Sequence, residues 1–475
     1  MNLYEALCAA AGKYPDKAAL TIQGRLVNKS INFASFLEKV DDFAGVMAAK
    51  GIRPRDLVAI DIKQDINSYA AIFALFKIGA AAYIFDPSTK PLVEPVAIIS
   101  SVFNLKLRQT FKNLYRKFSA GKVTLGFINL NDSKLEKHNT KHNNPIAIVY
   151  NYKNKNGLVF TVEKKHESLY ECSKSLCSVK KCDESSLMYN MKYSDVITNI
   201  ANGRSTLLLG LKHPTIAKAL TKIDVTGIGM DANNMRGIMK YIKNPLNKIQ
   251  NIFLYDNSVK SALLVDINRY MPESSTYMFY CIFDIIVTEL DISEISDAEY
   301  ARTYQGKGVL VGYDVRKASI KINNSRSDFT VGEILLNLPD TSVKSQLHNN
   351  LIEVDGKTWI KTGKAGYIDN LGRLWYTGDY ANTVKVDEKE IFIFAVEESV
   401  NANPYVAKAA FVVNNNTRVL YVELTNPRHV SHTEEIKLEA NNNFGCNIVQ
   451  QIKVGKIPMS KHNPMHIDYQ KIIKG

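Results

Sequence analysis

The spacing of apolar positions changes several times along the chain, and each change marks a different element. Phe33, Phe36, Leu37, Val40, Phe43, Ala44 and Met47 recur at steps of three and four. That is the spacing of a helix with one buried face, and it should end near Gly51. After the turn signal Arg53-Pro54-Arg55-Asp56, residues 57–62 read as a strand. Residues 68–78 read as a helix closed by Gly79, and residues 80–85 as a short apolar strand stopped by Asp86-Pro87-Ser88. Strand, helix and strand within about thirty residues form a βαβ unit, so the chain is expected to be α/β with a parallel, doubly wound sheet.

Residues 146–150 give a further strand that leads into a Lys/Asn-rich turn, and residues 205–228 repeat the strand and helix alternation. Residues 252–255 and 277–287 have the texture of buried strands. From Gly308 the chain becomes β-rich, with strands at 318–322 and 333–338 and aromatic residues Trp359, Tyr367, Trp375 and Tyr376 between glycine turns. From about Asp379, short strands (391–394, 409–413, 419–424) mix with helices (396–403, 433–444). The expected organisation is a large N-terminal α/β portion, residues 1–378, whose last part (about 300–378) is a β-rich subdomain. A small α+β lid, residues 379–475, follows, with a ligand cleft between the two.

Composition removes several classes. At 475 residues, 45% hydrophobic and 23% charged, the chain has an ordinary globular make-up with room for several buried cores. No apolar run reaches the roughly 18–20 residues of a membrane helix, because the best candidate is broken by Lys77 and Gly79. The N-terminus lacks the basic and apolar regions of a secretory signal, and six cysteines suit a reducing cytoplasm. The net charge is +13, and residues 101–181 hold sixteen basic residues against five acidic ones. No zinc-finger spacing, RNP-like signature or basic zipper accompanies them, so the run reads as a solvated face and nucleic acid is not an expected partner.

Four blocks carry a family resemblance. The opening YPDKAAL, FASFLEKVDDFAGVMAAKGIRPRDLVAI and AAIFALFKIGAAAYIFDPS, the segment GKGVLVGYDVRKASIKI with VGEILLNL, the stretch WIKTGKAGYIDNLGRLWYTGDYANTVKV with EIFIFAVEESVNANPYVAKAAFVV, and the closing IPMSKHNPMHIDYQKI occur in order. Together they resemble the AMP-forming acyl ligases, the adenylate-forming superfamily of acyl-CoA synthetases and luciferases, in texture nearest the fatty-acyl and β-lactone synthetase-like branch. The resemblance implies the adenylate-forming fold, and binding of Mg-ATP and a carboxylic acid. It also implies acyl-adenylate formation and an acceptor thiol such as coenzyme A.

The same resemblance places the functional positions, and most of them depart from the family pattern. The Gly/Ser/Thr-rich phosphate loop, which brings backbone donors close to phosphate oxygens, falls on NYKNKNG, leaving Lys155 and Gly157 as its usable members. The Tyr-Gly-x-Thr-Glu motif falls on YCIFD, keeping Tyr280 and putting Asp284 at the magnesium-binding acid. The ribose-binding aspartate falls on Lys364, which has no acceptor for the two hydroxyls. The interdomain Gly-Arg step falls on Gly378-Asp379, with the charge reversed. The mobile catalytic lysine falls on His466, with Lys461 nearby. If each lost contact costs about 2.7–4 kcal/mol of transition-state stabilisation, two or three suppress adenylation by several orders of magnitude.

Other clusters carry less. Cys172, Cys177 and Cys182, with His166 upstream, have the wrong spacing for zinc and read as thiols. His462 and His466 are separated by Pro464, which argues against a shared helix face. Trp359, Trp375 and Tyr376 read as core. Two readings lead: an AMP-forming acyl ligase of fatty-acid type with an impaired nucleotide site, or a pseudoenzyme that keeps the fold to bind an acyl ligand or a protein partner. A polyanion-binding module is the third.

Overall fold

The computed structural model describes residues 2–24, 28–84, 92–100, 111, 114–121, 126–132, 144–153, 159–170, 186–190, 192–210, 212–283, 285–317, 319–323, 330–338, 341–345, 350–414, 416–459 and 467–474. Three N-terminal helices pack together, and the sequence explains their ends. Leu3–Lys13 starts with a capping box between Asn2 and Glu5. In Phe33–Ala49, the Asn32 side chain accepts from the Ser35 N–H at 2.8 Å. Ile66–Ile78 begins two residues earlier than the apolar pattern suggests, because Asp65 and Ser68 cap each other's N–H groups at 2.9 and 2.8 Å. It closes at Gly79 with φ +82°, a left-handed conformation that costs glycine nothing. Asp65→Ala should cost about 1 kcal/mol of stability, read as a shifted urea midpoint with unchanged slope.

The Ile66–Ile78 helix is buried on nearly every side, Tyr69 to Phe76 without a break. A helix apolar all round belongs inside a core. Phe36 meets Phe73 edge-on at 5.9 Å, and Phe73 meets Phe76 at 5.5 Å. His166 lies in the same core: it accepts from the Leu3 N–H at 3.3 Å and packs edge-on against Phe76 at 4.7 Å. Burial pushes its pKa down to about 3, so it is a neutral core residue. Cys172, Cys177 and Cys182 lie outside the described residues, as does most of the basic run.

Two large mixed sheets organise the rest. In the first, Ala18–Ile22, Ser205–Leu208, Leu187–Asn190, Gly227–Met230, Asn251–Tyr255 and Ser275–Ile282 run parallel. Antiparallel strands continue that sheet through Ile285–Asp291, Val309–Asp314, Arg373–Asp379, Lys357–Ile368 and Gly332–Leu336. In the second, Leu57–Asp61, Ala81–Ile84, Ala97–Ser100 and Ile146–Lys153 are parallel neighbours. The parallel pairing expected of an α/β chain is present, in two large sheets rather than one, each extended by antiparallel strands.

Three local readings need correction. Residues 277–287 are a hairpin: Ser275–Ile282 pairs antiparallel with Ile285–Asp291 around Phe283, whose φ is +54°. Both arms are apolar and no Gly or Asn marks the turn. Asn151–Lys153, read as the start of a loop, belongs to the Ile146–Lys153 strand and pairs with Val159–Lys165. Its polar composition hid the ladder.

The last hundred residues hold their own small sheets, Thr383–Val386 with Lys389–Phe392, and Val406–Asn414 with Thr417–Leu424 and Gln451–Val454. Their core gathers Val396, Val400, Phe411, Leu420, Val422, Ile436 and Ile448. Residues 391–394 have the composition of a strand, but the structure differs. The strand ends at Phe392 and the helix Ile393–Asn401 begins at once.

Candidate functional site

The long strand Lys357–Ile368 bulges at Thr362-Gly363-Lys364, where its register with Gly332–Leu336 shifts, and the bulge is fixed by its own side chains. The Thr362 hydroxyl donates to the Ile334 carbonyl at 2.6 Å and accepts from the Lys364 N–H at 3.1 Å. The Gly363 N–H donates to Glu333 Oε1 at 3.0 Å, and the Gly363 carbonyl accepts from the Tyr380 N–H at 2.8 Å. Gly363 has φ +67°, which explains glycine at this step.

Directly across the ladder from Lys364 is Asp379. Lys364 Nζ donates to Asp379 Oδ1 at 2.5 Å, with the two side chains only 17% and 9% exposed. Gly378, just before it, has φ +137°, and a Cβ there would come within 2.9 Å of the Phe394 Cβ. The two positions at which the sequence reverses the expected charge are therefore partners, and each neutralises the other.

A cluster of tilted aromatic rings lies beside Gly378. Tyr280 lies 5.1 Å from Tyr376, which lies 4.8 Å from Phe394, and Tyr280 is 4% exposed. Trp375 is fully buried, stacks on Tyr367 at 6.0 Å and lies 4.4 Å beneath the Arg302 guanidinium. Trp359, Trp375 and Tyr376 are all core residues, as the sequence suggests. Asp369 accepts from the Trp375 indole N–H and from Arg373 Nε, both at 2.9 Å, and Arg373 also meets Glu299 at 3.0 Å.

Of the nucleotide-site and catalytic residues named from the sequence, Tyr280 and Lys364 are described, and both lie in this region. Lys155, Gly157, Asp284, Lys461 and His466 lie outside the described residues, as does His462. The backbone on either side of 460–466 is anchored. Met459 and Ile467 form a β-bridge, and Lys408 Nζ donates to Met459 Sδ at 3.1 Å. The Tyr469 hydroxyl donates at 2.6 Å to buried Glu397, which also accepts from the Phe411 N–H. Burial, reinforced by Glu397 and then Asp379, holds the Tyr469 hydroxyl far above its ordinary pKa.

Sequence reasoning missed three groups. Lys192 Nζ donates to Cys281 Sγ at 3.7 Å. Lys260 Nζ donates to the Ala407 carbonyl at 2.6 Å, tying residue 260 to the last part of the chain, and burial lowers its pKa to about 8. Asp256, raised to about 7 by burial, lies near Asp231 and Glu398. No spacing signal could have found these contacts, which join residues 89 and 147 positions apart in the first two cases. Among the described residues, no group of three or more His, Cys, Asp or Glu side chains could hold a metal ion.

The sequence model of the AMP-binding enzyme family matches residues 7–92. The whole structure superimposes on O-succinylbenzoate coenzyme A synthetase (MenE) from Bacillus subtilis in complex with AMP. The TM-score is 0.75 at 15% identity, covering 96% of this chain and 95% of that one. The chain has the adenylate-forming ligase fold. The amide bond synthetase McbA from Marinactinospora thermotolerans matches with a TM-score of 0.79 at 14% identity over 99% of both chains. The anthranilate CoA ligase AuaEII in complex with anthranoyl-AMP matches with 0.78 at 12%, over 99% of this chain and 96% of that one. The adenylate-forming fold thus extends far beyond the segment whose sequence matches. No helix among the described residues is long and apolar enough to cross a membrane.

Proposed function

We propose that this chain is an acyl-ligase-like protein of the adenylate-forming fold whose nucleotide site is impaired. It keeps a cleft for a carboxylic acid or its acyl group, of fatty-acid type, while activation as an acyl-adenylate is slow or lost. The large portion is residues 1–378 and the lid residues 379–475. It works in the reducing cytoplasm, in keeping with Cys8, Cys281 and Cys446, none of which is in a disulfide.

The observation that carries the reading is the Lys364–Asp379 ion pair. A ribose needs an acceptor for its two hydroxyls, and the side chain at the expected position is a cation that has only donors. The Asp379 carboxylate opposite it is already bound to that cation. A nucleotide would have to break a half-buried ion pair before gaining a contact, which is a cost at each binding event. With the ribose unheld, magnesium at Asp284, phosphate contacts at Lys155 and Gly157, and charge stabilisation by Lys461 and His466 have less to act on. Coenzyme A as acceptor would matter only for whatever adenylation remains. The limiting case is a pseudoenzyme that binds acyl ligands or a protein partner without ATP, and the same ion pair favours it.

Isothermal calorimetry with Mg-ATP on the folded protein tests the reading. The expected result is no binding at millimolar nucleotide and no pyrophosphate exchange with fatty acids. Micromolar binding would overturn it. Reversing both charges together, Lys364→Asp with Asp379→Arg, keeps the pair and restores the expected carboxylate and cation. This double variant should gain at least about tenfold in Mg-ATP affinity, equivalent to about 1.4 kcal/mol. Lys364→Asp alone sets two carboxylates face to face and should gain less.

A further inference from the structure

Cys281 directly follows Tyr280 in the YCIFD segment, and the nucleotide reading above gives neither it nor Lys192 a role. Leu187–Asn190, Gly227–Met230, Asn251–Tyr255 and Ser275–Ile282 are parallel neighbours, so their carboxyl ends share one edge of the sheet. That edge is where open α/β sheets take ligands. Three side chains meet there. Lys192, two residues beyond the first strand, donates to Cys281 Sγ at 3.7 Å and lies 4.4 Å over the ring of Tyr255. Cys281 follows a register shift in its ladder with Ile285–Asp291, and a bulge of this kind re-aims a side chain.

The face leading up to this edge is apolar. Phe253 stacks on Tyr277 at 6.1 Å and on Phe279 at 5.8 Å, and Tyr255 stacks on Phe279 at 5.7 Å. Gly227 and Gly229 add no side chains between these strands, and the Met188 sulfur and the Asn190 amide occupy the space their Cβ atoms would need. Phe253, Tyr277 and Phe279 are buried, whereas Tyr255, Lys192 and Cys281 are half-buried. The thiol, the ammonium and one aromatic ring are thus the accessible end of a rigid aromatic ladder.

We propose that Cys281 is a nucleophilic thiol, activated by Lys192, that takes an acyl group from an acyl thioester, the apolar part of which lies against the Tyr255 ring. A neighbouring ammonium favours the thiolate, the reactive form of cysteine, and can also stabilise the oxyanion that forms during attack. The Cys281 sulfur bonds to the carbonyl carbon and the bond from that carbon to the departing sulfur breaks. The departing thiolate takes a proton from the Lys192 ammonium, which regains one from solvent, where the Cys281 proton went when the thiolate formed. One thioester is exchanged for another, with no change in oxidation state. The inference rests on the reading that this protein handles acyl groups, but it needs no nucleotide, since the acyl group arrives already activated.

Two measurements on the full chain test it. Iodoacetamide labelling of the Cys281 peptide, followed by mass spectrometry against pH, should show a midpoint at least about one pH unit below the 8.5 of an ordinary cysteine. In Lys192→Met the labelling rate at pH 7 should fall at least about fivefold, and Lys192→Arg should retain most of it. Incubation with the octanoyl thioester of N-acetylcysteamine, without ATP, should add one octanoyl group to the Cys281 peptide, removable by neutral hydroxylamine. Cys281→Ser should take up none. Equal labelling midpoints in the wild type and Lys192→Met, or octanoylation of other cysteines but not Cys281 in the wild type, would overturn the proposal. Detection of ATP binding would overturn the nucleotide reading and leave this result standing.

Discussion

Asp379→Ala is expected to lower the unfolding free energy by about 3–5 kcal/mol, one of the two largest losses foreseen for a single substitution in this protein. The reason is what remains. The Lys364 side chain is 17% exposed opposite an Asp379 side chain that is 9% exposed, and removing the carboxylate leaves the ammonium half-buried without its partner. Replacing both members, Lys364→Met with Asp379→Leu, should recover most of the loss, because two apolar side chains leave no charge to desolvate. Equilibrium urea unfolding of the three variants decides the matter. If Asp379→Ala costs less than about 1 kcal/mol, the pair behaves as an exposed one and the case against nucleotide binding weakens with it.

Asp369→Ala should be comparably damaging, by about 3 kcal/mol or more. Asp369 is 5% exposed and takes four donors: the Leu371 and Arg373 backbone N–H groups, Arg373 Nε and the Trp375 indole. Without it, the Arg373 guanidinium keeps only Glu299, and the indole of the most deeply buried tryptophan loses its acceptor. The same carboxylate gives a pH signature. Burial pushes its pKa up, but the Trp375 and Arg373 hydrogen bonds outweigh that and hold it below the ordinary aspartate range. A depressed folded-state pKa contributes stability that is fully present above the unfolded value of about 3.9 and is lost as pH falls through the folded value. The stability gap between wild type and Asp369→Asn should therefore be widest near neutral pH and shrink as pH falls below about 3.9. A gap that stays constant would place the stabilisation in packing.

The parts of the fold that the sequence made legible are those where one face is apolar. Phe33 to Met47 step at helical spacing because one side of that helix is buried along its whole length, its last turns being buried all round, and Gly79 ends its neighbour because a left-handed residue is needed there. Legibility fails where composition and backbone disagree. Asn151–Lys153 has loop residues but strand pairing, and the turn at Phe283 has strand residues on both sides. In the candidate site, Lys364 and Asp379 were each visible as charges of the wrong sign. Their pairing was not, because the register that sets them opposite depends on a bulge between Ala365 and Gly366 in the same ladder. Lys192 and Cys281 belong to separate elements, and only the assembled sheet brings them together.

The second large sheet has a consequence for how the protein is made. Its Val159–Lys165 strand pairs on one side with the preceding Ile146–Lys153 and on the other with Thr341–Ser345. A ribosome adding about 5–20 residues per second needs on the order of 10–40 s to travel from the first partner to the last. Through that interval the strand offers an open edge of amide and carbonyl groups, the kind that captures foreign strands. Slow synthesis should therefore favour chaperone engagement of nascent chains that end before residue 341. Chains stalled just beyond it, with Thr341–Ser345 clear of the exit tunnel, should be released.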